Sequence, residues 1–330
     1  MKGKQHLEIR NNKVVFKFTL ERNITIIKGD SATGKTTLVN LINTYDRFGK
    51  SSGVTLRSDK RCFVLDNKSW KLILSNTDDS VVFIDEGESF ILTREFADAV
   101  KNSDNYYVII TRENLYNLPI SVDAIYSMRG RRYFSLKKTY NHLYKLYPVS
   151  NAKGNEFEEI ITEDSGAGLE FFSNVAREMG MSCASSNGNS GLLPLVRQRE
   201  SKACLLIADG AAFGAYMEMV DDYCREKNVC FYLPESFEWI ILLSGIVNEP
   251  EVEKILSSPS DYIESSQYFS WERFFSALLT EVTQGTYLAY NKQKLNPAYL
   301  QDKIKYAILR CTPLAPESSN TGNITEEHDD

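Results

Sequence analysis

Residues 29–36 read Gly-Asp-Ser-Ala-Thr-Gly-Lys-Thr, the pattern G-x-x-x-x-G-K-[ST], and lie between Ile24-Thr25-Ile26-Ile27 and an apolar, helix-periodic stretch from Leu38 to Ile42. Strand, glycine-bounded loop and helix in that order restrict the chain to an α/β arrangement whose loop wraps an anion. Gly29 and Gly34 let the backbone curl around a phosphate chain. The N–H groups of Asp30, Ser31, Ala32 and Thr33, and of the helix start at Lys35, Thr36 and Thr37, point at it. Lys35 adds a cation, and the Thr36 hydroxyl is a ligand for Mg2+. The expectation is a nucleotide site taking ATP and Mg2+.

At 330 residues the chain has room for two domains, and the pattern places them at 1–147 and 157–312, with a small, polar linker at 148–156 and an acidic, disordered tail at 313–330. Apolar residues make up 42% and no apolar run approaches the roughly 20 residues that cross a bilayer, so no membrane partner and a cytoplasmic location are expected. The six cysteines contain no C-x-x-C pair and there are three histidines, which leaves carboxylates as the material for any metal site. A net charge of −6 argues against a whole-surface field for nucleic acid while leaving a local patch open. The candidate for such a patch is Arg129-Gly130-Arg131-Arg132-Tyr133 with Lys137, Lys138 and Lys145. It reads either as a contact for phosphates or a partner, or as a solvated edge hairpin whose charges discourage pairing.

Strands alternate with helices after the phosphate loop, the pattern of a mainly parallel sheet. Val81-Val82-Phe83-Ile84-Asp85-Glu86 sets two carboxylates at the end of a buried strand expected beside the loop. This segment resembles a Walker B motif, which implies that Asp85 would hold Mg2+ and that Glu86 would polarise the water that attacks the γ-phosphate. Tyr107 to Ile110 is another strand ending in polar groups, Thr111 and Arg112. This place is similar to the one where P-loop NTPases carry a residue that senses the γ-phosphate, which makes Thr111 and Arg112 candidates; the other role open to Arg112 is pairing with a neighbouring carboxylate.

These features resemble the ABC-type and AAA-type ATPases of bacterial defence and mobile-element proteins, with Asp85 and Glu86 similar to their Walker B motif. The resemblance covers roughly the first 145 residues and implies ATP hydrolysis, with Lys35, Glu86 and Arg112 as catalytic candidates. No segment resembles the Leu-Ser-Gly-Gly signature by which ABC enzymes complete a site across a dimer. No arginine-rich lid of a small-molecule kinase is visible either.

A second α/β unit follows, with Glu163-Asp164 after one strand, Asp209 after a second and Glu235 and Glu238 after a third. Ser182 to Gly191 reads as a loop, and the chain turns helical from Phe237. The unit resembles the TOPRIM fold of topoisomerases, primases and OLD-type nucleases, which implies Glu163, Asp209 and Glu238 as metal ligands. It departs from that pattern where Asp164 follows the glutamate in place of glycine, and where Ala211 replaces a second aspartate. The other reading of Glu163, Asp209 and Glu235 is that they cap the helices after them. The expected function is an ATPase whose nucleotide state controls the second unit or a partner, an effector protein or a second copy of the chain, as in phage defence. The alternatives are an ATP-gated nuclease acting on nucleic acid and a slowly hydrolysing binding switch.

Overall fold

Two separate sheets organise the chain in the computed structural model, which describes residues 2–29, 33–133, 138–147, 157–198, 203–224 and 229–315. The first comprises β1 (Gln5–Arg10), β2 (Val14–Leu20), β3 (Ile24–Lys28), β4 (Thr55–Arg57), β5 (Arg61–Leu65), β6 (Ser80–Ile84), β7 (Tyr106–Ile110), β8 (Ile125–Tyr133) and β9 (Lys138–Lys145). Their order is β4-β1-β2-β9-β8-β3-β7-β6-β5. From β5 to β8 the neighbours are parallel. Beyond β8, β9 runs antiparallel to β8 but parallel to β2, and β1 is antiparallel to β2 and β4, so the sheet is mixed, with its parallel pairings in the majority.

Strands β3, β6 and β7 are buried at every position because helices cover both faces of this half of the sheet. On one face α1 (Lys35–Phe48) lays Leu38, Val39 and Ile42 against Ile9, Phe16, Ile27 and Val108. On the other lie α2 (Trp70–Leu74) and α3 (Arg94–Lys101), where Trp70, Phe90 and Phe96 pack ring to ring at 5.2–5.8 Å. Thr93 starts α3 by accepting the Phe96 N–H at 3.2 Å.

The second sheet contains β10 (Glu159–Thr162), β11 (Ser182–Ser185), β12 (Cys204–Ile207) and β13 (Val229–Tyr232), all parallel in the order β11-β10-β12-β13. Between them run α4 (Ala167–Glu178), α5 (Asn189–Arg197) and α6 (Gly214–Cys224). Then α7 (Phe237–Leu243), α8 (Pro250–Ser257), α9 (Trp271–Thr283) and α10 (Asp302–Leu309) build the helical part. The segment read as a loop at 182–191 contains β11 and the start of α5. Its serines are held by the strand beside it, Ser185 Oγ donating to Asp164 O at 2.8 Å and the Ser186 N–H to Thr162 O at 2.9 Å. Leu314 is buried at 3% exposure, so the ordered chain reaches past the expected tail boundary at 313. The rest of that tail, 316–330, and the linker at 148–156 lie outside the described residues.

The two units meet through backbone. Val122 N–H donates to Gly210 O at 2.9 Å, and Gly214 N–H to Ile120 O at 2.7 Å. A Cβ at Gly214 would sit 2.6 Å from Ile120 O, so glycine is required there by close approach. Arg22 adds an ion pair with Glu235 and lies 3.6 Å over the Trp271 ring, both partners belonging to the second unit.

Candidate functional site

The phosphate loop leaves β3 at Lys28 and enters α1 at Lys35, with Gly34 as the residue before the helix at φ 101°. Only glycine adopts that conformation without strain, and a Cβ there would also press on Asn141 Oδ1 at 3.3 Å and Met128 Sδ at 3.6 Å. Gly34, as the N-cap, has no side chain to cap α1, and no acid lies in the first turn of the helix, so its positive dipole end suits an anion. Lys35 is buried at 7% exposure and folds back to donate to Gly29 O at 2.5 Å. Thr36 and Thr37 are exposed at the helix start. Asp30, Ser31 and Ala32 lie outside the described residues. An open depression of about 460 Å3 adjoins the loop, lined by Gly34, Thr37, Phe16, Met128, Thr139 and Asn141. That volume falls within the range of sites for small ligands.

Asp85 and Glu86 follow β6, which is one strand further from the loop than the sequence suggested, because β7 lies between β3 and β6. Neighbouring strands are about 4.8 Å apart, so the carboxylates sit about 10 Å across the sheet from the loop strand, wide enough for a phosphate and a hydrated ion between. Asp85 Oδ1 accepts the Glu86 N–H at 2.8 Å. The strand in between, β7, ends at Thr111, buried at 3%, and Arg112. Arg112 Nε pairs with Glu86 Oε1 at 2.8 Å, the second of its two open roles, and joins two catalytic candidates to each other. These side chains are 60% and 41% exposed, so the pair is weak and easily rearranged. The donor set of Lys35, Thr36 and Asp85 around a glycine cradle suits a magnesium-bound triphosphate, where the ion would supply charge neutralisation.

In the second unit Glu163 and Asp209 follow neighbouring strands β10 and β12, and the Asp209 N–H donates to Glu163 Oε2 at 3.2 Å. Glu238, in the first turn of α7 and 2% exposed, accepts from the Tyr290 hydroxyl at 2.9 Å. Lys292 pairs with Glu272 on α9 at 2.5 Å. Burial pushes the Glu163 carboxyl up to about 7, with the charges of Glu272 and Asp164 adding to it. Burial also raises Asp209 well above the ordinary carboxylate range, helped by Glu272, Glu163 and Glu238 and opposed by Lys292. Lys292 itself is raised: burial works against its charge, but Glu238 and Glu272 outweigh it.

The expectation that Glu163, Asp209 and Glu238 hold a metal does not fit this arrangement. Among the described residues no group of three or more His, Cys, Asp or Glu is placed to bind an ion. The space beside Glu163 and Asp209 is about 10 Å3, closed by Phe172, Phe237 and Ile240, about the room one water needs. The helix-cap reading also fails for Glu163 and Glu235, which are engaged by the Asp209 N–H and by Arg22. The residues that do this work are Asp164, whose oxygens accept from Gly166 and Gly168 N–H at 2.9 and 2.7 Å, and Ser236, which accepts from Trp239 N–H at 3.2 Å.

Sequence reasoning missed Glu272, Tyr290 and Lys292, which share no motif and lie far along the chain from Glu163. They arrive because the Ala167 N–H, at the start of α4, donates to Lys292 O at 2.9 Å and pins the returning segment there. It also missed Lys28, 8% exposed, whose ammonium reaches Asn114 Oδ1 at 2.7 Å and Glu218 Oε2 on α6 at 2.6 Å. The residue before Gly29 is thus tied to the second unit. No protein-family model and no curated protein matches the chain. No helix among the described residues is long and apolar enough to cross a membrane.

Proposed function

We propose that the chain binds Mg-ATP at residues 29–37 and hydrolyses it, with Asp85 holding the metal and Glu86 orienting the attacking water. The observation that carries this reading is convergence: the start of α1 after β3, Thr111 and Arg112 after β7, and Asp85 and Glu86 after β6 occupy one edge of three adjacent parallel strands. Phosphoryl transfer asks a protein for little beyond positioning and charge neutralisation, and this edge supplies donors, a buried ammonium and carboxylates. Arg112 would leave Glu86 for the γ-phosphate when nucleotide enters, which frees the carboxylate to act on water.

The nucleotide state would reach the second unit through the Lys28–Glu218 pair and the backbone contacts of Ile120 and Val122 with Gly214 and Gly210. The residue next to Gly210 is Asp209, so loop movement would bear directly on the buried acid cluster. A nuclease reading of that cluster is disfavoured by its roughly single-water space and by Ala211, buried at 2%, where a further ligand is wanted. Phosphate release from ATP with Mg2+ tests the proposal: it should be lost in Lys35→Ala and Glu86→Gln. Tight ATP binding without turnover in the wild type would leave a binding switch in its place.

A further inference from the structure

Half of one face of the nine-stranded sheet is bare among the described residues. On the side covered by α2 and α3 over β3 and β5–β7, nothing among the described residues covers the outward positions of β4, β1, β2, β9 and the far half of β8. The strand registers place Glu8, Arg10, Lys17, Arg57, Tyr140, Arg131 and their cross-strand neighbours on this face. None of these side chains is buried, whereas Leu7, Ile9, Phe16 and Met128, alternating with them, are 1% exposed or less beneath α1.

A polar outer face is ordinary for antiparallel strands; its charge here is not. The whole chain has 38 Lys and Arg against 44 Asp and Glu. This face has six cations, Arg10, Lys17, Arg57, Arg129, Arg131 and Lys138, and one carboxylate, Glu8, which Arg10 and Arg57 already share at 3.4 and 3.6 Å. Three tyrosines are interleaved. Arg129 lies 4.5 Å over Tyr144, Arg131 lies 5.3 Å over Tyr133, and Tyr133 meets Tyr140 edge-on at 5.4 Å. The charges do not serve to block a free edge at β9, since that strand pairs with β2 as well as β8.

We propose that this open sheet face is a binding platform for single-stranded nucleic acid. Cations spaced over five strands, about 20 Å in all, match a run of backbone phosphates, and the tyrosines braced by arginines, Tyr133 exposed and Tyr140 and Tyr144 half-buried, offer ring faces on which unpaired bases stack. A duplex hides its bases and would use the charges alone. The opposite face of the same β8–β9 pair touches the phosphate loop, Met128 and Asn141 lying against Gly34, so strand and nucleotide would bind two sides of one hairpin. The inference stands on the bare face and its charge, and does not depend on the chain hydrolysing ATP.

The test is fluorescence anisotropy of the full-length protein with a labelled oligothymidylate of about 15 nucleotides and with a duplex of equal length. Neutralising about six phosphates should make the logarithm of single-strand affinity fall against the logarithm of salt with a slope of about −4, roughly 250-fold between 50 and 200 mM. Lys17→Glu/Arg57→Glu/Arg131→Glu should weaken binding at least about 100-fold and flatten the slope by about half. Tyr140→Ala should cost about tenfold on the single strand and nothing on the duplex. All four positions lie at the surface, so unchanged thermal midpoints will show that the variants are folded. No saturable binding at about 50 mM salt, or equal binding by wild type and the triple variant, would overturn the proposal, as would a duplex bound as tightly as the single strand with Tyr140→Ala silent.

Discussion

Replacing Glu163 by Gln should stabilise the second unit at pH 8 and do nothing at pH 4, and the size of the effect follows from the geometry. The Glu163 carboxyl accepts the Asp209 N–H, and burial, with the charges of Glu272 and Asp164, outweighs that hydrogen bond and Lys292 and raises it from 4.5 to about 7. Below pH 4.5 it is protonated in the folded and unfolded chain alike, and carries no penalty. Above that the unfolded chain releases the proton while the folded one keeps it, so stability falls as pH rises and the loss is complete above about 7. The rise from 4.5 to about 7 corresponds to about 3 kcal/mol. Asp209 is raised too, so the two titrate as a pair and its contribution has the same sign. Urea unfolding without divalent ions should be followed by tryptophan fluorescence in a Trp70→Phe background, where Trp239 and Trp271 report the second unit. Wild type should lose stability between pH 5 and 7.5, and Glu163→Gln should be more stable than wild type by about 3 kcal/mol at pH 8. Parallel pH profiles for the two proteins, or a wild type that gains stability over this range, would refute the idea of a buried, proton-holding pair.

Other outcomes follow from single contacts. Gly34→Ala places a methyl group in a left-handed position against Asn141, and should cost about 1–2 kcal/mol and weaken ATP affinity in a calorimetric titration. Arg112→Ala breaks an exposed pair with Glu86 and should change stability by less than about 0.5 kcal/mol in thermal unfolding while slowing turnover. Arg22→Ala removes the partner of Glu235 from a pair 10% and 15% exposed and strips the Trp271 ring, so urea unfolding should show a loss of about 3 kcal/mol. Lys28→Ala should abolish any ATP-dependent change in amide exchange along α6, leaving exchange in the first unit responsive to ATP as before.

The strand, loop and helix at 24–42 were legible because glycine positions and apolar periodicity are local signals, and the same holds for Asp85-Glu86 behind four apolar residues. The ends of β10 and β12 were legible for that reason too. What escaped was decided by partners distant in sequence. Ser182–Ser185 is a strand because β10 and the Asp164 carbonyl hold it, and nothing in Ser-Cys-Ala-Ser announces this. Strand order was invisible as well, so β7 intruded between the loop and Asp85. Carboxylates read as metal ligands met instead a closing layer of Phe172, Phe237 and Ile240, and a lysine from residue 292. The basic run at 129–133 was visible in the sequence, but only the register across β9, β2, β1 and β4 shows that Lys17 and Arg57 extend it.

Mg2+-dependent phosphate release from ATP by wild type, Lys35→Ala and Glu86→Gln tests the nucleotide assignment most directly. Turnover in the wild type should be absent in Lys35→Ala together with ATP binding, and reduced by about 100-fold or more in Glu86→Gln with binding retained. Hydrolysis by Lys35→Ala at the wild-type rate would contradict it.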